Sequence, residues 1–417
     1  MSIFNAEKAT SRTLVEACLE RIDAREGEVQ AWQYLDRGAA LAQADARDST
    51  PDRHGPLHGV PIAIKDIIDT ADMPTTCGSP IYDGHRPAAD AACVTRLRAA
   101  GAVILGKTVS TEFATFQPPK TRNPHNPAHT PGGSSSGSAA AVACAMAPAA
   151  LGSQTAGSVI RPAAFCGVVG FKPSFGAIDL AGVKTLAASL DTLGSFAKTV
   201  DGAALVARAI ASADGPLGES DTGNLPPPSI ALCQSGEWDQ ADAATHAALD
   251  AALDRLNAAG AATARFAMPP PFTDMVNIQN EVFVGEMVEA LAFEYQNHAA
   301  LLSPGLKAAL DEGAAYAPGR LDAARAAAEA CRDREAELFA GHDLLLAPSA
   351  AGEAPIAETT GDPLFNRAWT ALHVPCLTLP VITGPNGLPI GIQLITRRGD
   401  DARLISWARW AENVFTP

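Results

Sequence analysis

The chain has 417 residues and a formal net charge of −15; 47% of its residues are hydrophobic and 18% are charged. That composition excludes a disordered chain, and the acidic balance argues against a nucleic-acid-binding surface, though not against a local basic pocket. No run of about 18 apolar residues suggests a membrane span, and Met1 to Lys8 lacks the regions of a signal peptide, so the expected compartment is the cytoplasm.

In chain order, Leu14, Val15, Cys18, Leu19 and Ile22 recur at helical spacing, which predicts a helix over 7–25 capped by Thr10 or Ser11. A strand is expected over 60–68, then a helix over 90–100 with Asp90 as its cap and Gly101 as its stop. Ala102 to Leu105 reads as the next strand. This β-α-β rhythm favours a largely parallel sheet covered by helices. Residues 117–133 form a Pro- and Asn-rich loop, and loops of that length are often functional. Ser138 to Met146 reads as a helix, and 241–340 reads as mostly Ala-rich helix, for example Ala244 to Ala259. Strand signals return at Asp343 to Ala347, Pro375 to Ile382 and Gly391 to Ile395. Residues 214–228 read as a connector. Strands at both ends of the chain point to one sheet closed by distant segments.

Eight cysteines carry no C-x-x-C pair, so buried, inert thiols are expected. The histidine pairs His54/His58 and His125/His129 lie in Pro/Gly-containing loops, and no H-E-x-x-H occurs, so loop packing is expected and no metal site.

Three stretches carry chemistry. In Val60-Pro-Ile-Ala-Ile-Lys65, strand alternation places Pro61, Ala63 and Lys65 on one face. Lys65 is either a desolvated base or a strand-end lysine snorkelling to water. Gly132-Gly-Ser134-Ser135-Ser136-Gly-Ser138 is a linker, a helix cap or a functional turn. Its formal G-x-S-x-G match is discounted, because that elbow must follow a strand and three prolines lie just upstream. The S-x-x-K match at Ser195 to Lys198 is discounted as well, because no S-D-N or K-T-G follows. In Gly152-Ser-Gln154-Thr155-Ala156-Gly157-Ser158-Val-Ile-Arg161, the backbone N–H groups of Thr155, Ala156, Gly157 and Ser158 can converge as an oxyanion hole. Ser158 is placed as a nucleophile there, and Arg161 as a carboxylate clamp. The competing reading is a structural turn with Arg161 in a salt bridge.

Together, Gly55 to Asp66, Gly101 to Thr108, Thr111 to Ala114, Pro131 to Ala141, Gly152 to Pro173, Asp191 to Gly194 and Trp369 to Gln393 resemble the amidase signature family. The resemblance implies one α/β domain over 1–417, with a central mixed, mostly parallel, twisted sheet of many strands and helices on both faces. It is dense over 55–202 and 343–395. It is thin over 203–340, the variable and mainly helical region expected, with the 115–130 loop, to wall the substrate pocket. It implies a Ser-cisSer-Lys triad: Lys65 as base, Ser134 as relay after a cis Gly133–Ser134 peptide, and Ser158 as nucleophile. It further implies an oxyanion hole at residues 155–158 and substrate contacts at Gly133, Ser135, Gln154 and Arg161, with no metal or organic cofactor.

The common family form has Asp where Gln154 stands and Gly where Ala156 stands, with Arg two residues after the nucleophile. Arg161, three residues after, is similar to malonamidase-type enzymes, whose arginine holds a substrate carboxylate. The expected partner is therefore a small, carboxylate-bearing amide; a homodimer is the association the resemblance suggests. The alternatives are an amidotransferase A subunit, which liberates ammonia from glutamine for a tRNA-charging complex, a biuret-type ureido-amide hydrolase, and a catalytically dead scaffold.

Overall fold

A computed structural model describes residues 9–50, 55–212, 215–217 and 225–416. Met1 to Lys8, His54 and most of the 214–228 connector lie outside the described residues. Eleven strands among them form one sheet: β1 (Trp32–Leu35), β2 (Pro61–Lys65), β3 (Val103–Thr108), β4 (Ala149–Gln154), β5 (Val169–Lys172), β6 (Thr192–Ala197), β7 (Ser229–Gln234), β8 (Ala262–Ala267), β9 (Leu344–Pro348), β10 (Cys376–Thr383) and β11 (Pro389–Ile395). Their spatial order is β1-β3-β2-β4-β6-β5-β10-β11-β9-β7-β8. Distant segments do close one sheet: the C-terminal β10 joins β5, and β9 joins β7.

The sheet is mixed, as expected, but less parallel than the β-α-β rhythm suggested. Parallel pairing is confined to two blocks, β3-β2-β4 and β9-β7-β8. The pairs between these blocks, and β1 against β3, are antiparallel. The reason lies in the connections. β10 turns straight back into β11, and a short return of that kind can only pair antiparallel strands.

Alternation along the strands supplies two core layers. Ile62 and Ile64 of β2 belong to one buried cluster and Ala63 to the other, with Val15, Cys18 and Ile22 of the first helix and Ala139 to Val142. That first helix spans Ser11–Val29, and its cap is Thr10, whose side chain accepts from the Thr13 amide. The helix after it in the β-α-β unit is Ala92–Ala99, and Asp90 is not its cap. The Asp90 carboxylate is drawn away to the Ala71 amide and the Arg98 guanidinium. The 241–340 region is mostly helical but is broken by β8, a half-exposed edge strand. The eight cysteines are buried free thiols, and burial pushes Cys18 up to about 12. His125 and His129 pack onto backbone carbonyls of Cys166 and Ala354, as loop-packing residues do. No helix among the described residues is long and apolar enough to cross a membrane.

The helix Ser136–Ala143 packs flat against β2 to β4 because its small residues allow it. A Cβ on Gly137 would stand 2.2 Å from the Ala31 carbonyl oxygen and 2.4 Å from the Val109 nitrogen. Both are backbone atoms and cannot swing aside. Gly137→Ala is therefore expected to destabilise the fold by about 1–3 kcal/mol or more, read as a lowered denaturation midpoint. An unchanged midpoint would mean that this contact is looser than described.

Candidate active site

Lys65 ends β2 and shares its face with Ala63, as the alternation requires. It does not reach water: the side chain is completely buried. Its Nζ lies 2.7 Å from Ser134 Oγ and 2.9 Å from Ser153 Oγ. Burial pushes Lys65 down to about 7, and the charge of Asp191 works against that fall.

Ser134 stands just before the Ser136–Ala143 helix, and the Gly133–Ser134 peptide is cis. The serine cluster is no linker, because its neighbours are stapled. Ser135 Oγ donates to the Ser153 carbonyl at 3.2 Å and accepts from the Ser153 amide. Ser136 Oγ donates to the Gly132 carbonyl at 2.6 Å, and Ser138 Oγ to that of Leu151 at 2.8 Å. Gly132 sits at φ +82°, a conformation that favours glycine and turns the loop into the helix.

The second segment leaves β4 and turns into the helix Ile160–Cys166. Its carbonyls are tied back: that of Thr155 accepts from Gln279 Nε2 at 2.9 Å, that of Ala156 from Thr370 Oγ1 at 2.7 Å, and that of Gly157 from the Arg161 amide at 3.0 Å. The amides of Ala156, Gly157 and Ser158 take no partner among the described residues. A turn whose carbonyls are held outward and whose N–H groups are left free is suited to an oxyanion.

Ser158 and Arg161 line a cavity of about 300 Å³, together with Thr155, Ala156, Phe116, Phe283, Asp362 and Arg367. Ser158 Oγ makes no hydrogen bond among the described residues. The Arg161 side chain is buried, and its Nη2 donates to the Gly133 carbonyl at 2.7 Å while Nε and Nη1 have no partner. It forms no salt bridge among the described residues, so the salt bridge of the structural-turn reading is absent, while the bond to Gly133 ties the arginine to the serine turn. Burial lowers it to about 9, Asp362 opposes that and Arg367 adds to it.

Of the expected substrate contacts, the cavity receives Arg161 alone as a side chain. Gln154 is fully buried: Oε1 accepts from the Val159 and Ile160 amides at 2.9 and 3.0 Å, and Nε2 donates to Thr370 Oγ1. It anchors the turn. Ser135 is spent on Ser153, and Gly133 meets Arg161 through its carbonyl. The expected walls are present in part, as Phe116 and Phe283 in edge contact at 5.9 Å. The far wall, Thr359 to Pro363 with Arg367, was not anticipated. Nor were Ser153, Asp191, Gln279 and Thr370 expected to support the turn. No group of three or more His, Cys, Asp or Glu able to hold a metal occurs among the described residues.

This geometry has known counterparts. The chain is 36% identical to the A subunit of the Glutamyl-tRNA(Gln) amidotransferase of Anaeromyxobacter dehalogenans (strain 2CP-C), over 99% of this chain and 94% of that protein. A solved amidase superposes with a TM-score of 0.90 at 28% identity, covering 99% of this chain and 98% of its own. The peptide amidase of Stenotrophomonas maltophilia gives 0.84 at 30% identity, covering 98% and 94%. The Amidase family model matches residues 13–405, a span that takes in every residue of the site from Lys65 to Thr370. The chain therefore belongs to the amidase signature family of hydrolases acting on C–N bonds.

Proposed function

We propose that this chain hydrolyses a small linear carboxamide whose acyl part carries a carboxylate, through a serine acyl-enzyme. Lys65, neutral, takes a proton from Ser134 as Ser134 takes one from Ser158. Ser158 Oγ forms a bond to the amide carbon, and the carbonyl π pair moves to oxygen, held by the amides of 155–158. Collapse breaks the C–N bond. The proton returns through Ser134 to the leaving nitrogen, and water then cleaves the ester. The observation that carries this reading is the buried 2.7 Å contact between Lys65 and Ser134, in a chain whose Ser158 lines the cavity beside an open N–H turn.

The carboxylate preference rests on Arg161, whose two unpartnered nitrogens are the donors a substrate anion needs. Arg161→Ala is expected to raise KM for acidic amides by about 100-fold, against tenfold or less for neutral ones. A panel of acidic and neutral amides assayed for ammonia release checks this. Equal losses on both would remove the carboxylate reading and leave Arg161 as a prop for the Gly133 carbonyl.

A second reading is favoured by the amidotransferase relatives, which match nearly the full chain. In it, the same site releases ammonia from glutamine for a partner. Affinity purification separates the two: stoichiometric partner proteins support the amidotransferase, and an isolated chain that is active on small amides supports the free amidase.

A further inference from the structure

The proposed mechanism creates a buried ammonium on Lys65 and an oxyanion at the turn, and one carboxylate is bonded to the turn and shares a cavity with a partner of Lys65. Asp191 immediately precedes β6, which pairs with β4 so that Thr192 faces Gln154 and Leu193 faces Ser153; β4 in turn pairs with β2, which carries Lys65. Its Oδ1 accepts from Thr155 Oγ1 at 2.6 Å. Its Oδ2 accepts from the amides of Leu186 and Ala187 at 2.8 and 3.1 Å. Asp191 and Ser153 line one small cavity, and Ser153 Oγ is the second partner of Lys65 Nζ. Lys184 also lines that cavity, but it is bonded to Glu294 at 2.5 Å. Lys65 is the charged group that acts on Asp191, and Asp191 the one that acts on Lys65.

We infer that Asp191 is a positioning residue that couples the two halves of the site, fixing the Thr155 end of the oxyanion turn while serving as the buried counter-ion of the Lys65 ammonium formed during acylation. The inference rests on the triad reading above. Burial raises Asp191 to about 6, and hydrogen bonds from Thr155 and two backbone amides, with the charge of Lys65, oppose that rise. An ionised Asp191 has two opposed effects on Lys65. It favours the protonated ground state, which is inactive, and it favours the protonated lysine that the transition state needs.

That opposition gives a signature that a merely structural role lacks. With a neutral amide as substrate, Asp191→Asn is expected to lower plateau kcat about 10- to 100-fold, while the acid limb of the kcat/KM profile moves about one unit to lower pH. Thr155→Val keeps the charge, so it lowers kcat and leaves the limb in place. An Asp191→Asn limb that stays in place or moves upward overturns the inference. Circular dichroism checks that the variant's fold is intact. Lys65→Met separates the layers: if it retains wild-type rates, the triad reading itself fails, whereas an inactive Lys65→Met beside an unmoved Asp191→Asn limb removes Asp191 alone.

Discussion

Ser158→Ala is expected to abolish ammonia release from every amide the wild type cleaves, a loss of about a thousandfold or more in kcat. The substitution removes a hydroxyl that holds nothing in the fold. Ser158 Oγ makes no hydrogen bond among the described residues, and the turn around it is fixed by others, Gln154 on the Val159 and Ile160 amides and Thr370 on the Ala156 carbonyl. The denaturation midpoint should therefore stay within about 1 °C of wild type, consistent with a change that touches no buried contact. The pair of measurements matters: activity lost with stability kept assigns chemistry to Ser158, and a sulfonyl fluoride that labels wild type should leave the variant unlabelled. Ammonia release that survives the change would move the nucleophile elsewhere. A midpoint that falls with the activity would reduce Ser158 to a turn residue.

How much of this was readable before the fold was known follows from where each residue gets its role. Lys65 takes its face from local alternation, so its partnership with Ala63 was legible. Whether it reached water was not, because that depends on β3 and β4 closing over both sides of β2. The Gly/Ser turns carry their chemistry in contiguous residues, and the resemblance named Ser134 and Ser158 from those alone. Asp191, Gln279 and Thr370 hold the 155–158 turn from 36, 124 and 214 residues away. No short-range pattern encodes such pairings. Gln154 illustrates the opposite error. The resemblance put it among the substrate contacts, yet its amide is the group that satisfies the first turn of the Ile160–Cys166 helix. Asp90 was misread for a related reason: a good cap by type was taken by a closer amide and a guanidinium. The edge strand β8 hid in an Ala-rich region, because alanine favours helix and is depleted in strands, so the composition of its sequence points to helix.

Lys65→Met should cost about a hundred- to ten-thousand-fold in kcat, the range spanned by a positioned general base. Methionine fills much the same buried volume with no charge, so the fold loses the contacts to Ser134 and Ser153 but also the cost of burying an ammonium. Wild-type pH dependence tests the same assignment without a variant. Only neutral Lys65 accepts the Ser134 proton, and burial brings the group to about 7. Activity should then be full above that pH and fall about tenfold per unit just below it, the sign expected of a base that is lost on protonation. A lysine in water, with a pKa near 10.4, would put that limb far into the alkaline range. The position of the limb thus reports directly on burial. A limb near pH 7 that is absent from the residual rate of Lys65→Met assigns it to this residue. A limb that persists there belongs to another group, and Lys65 would then be a structural strut between the two serine turns.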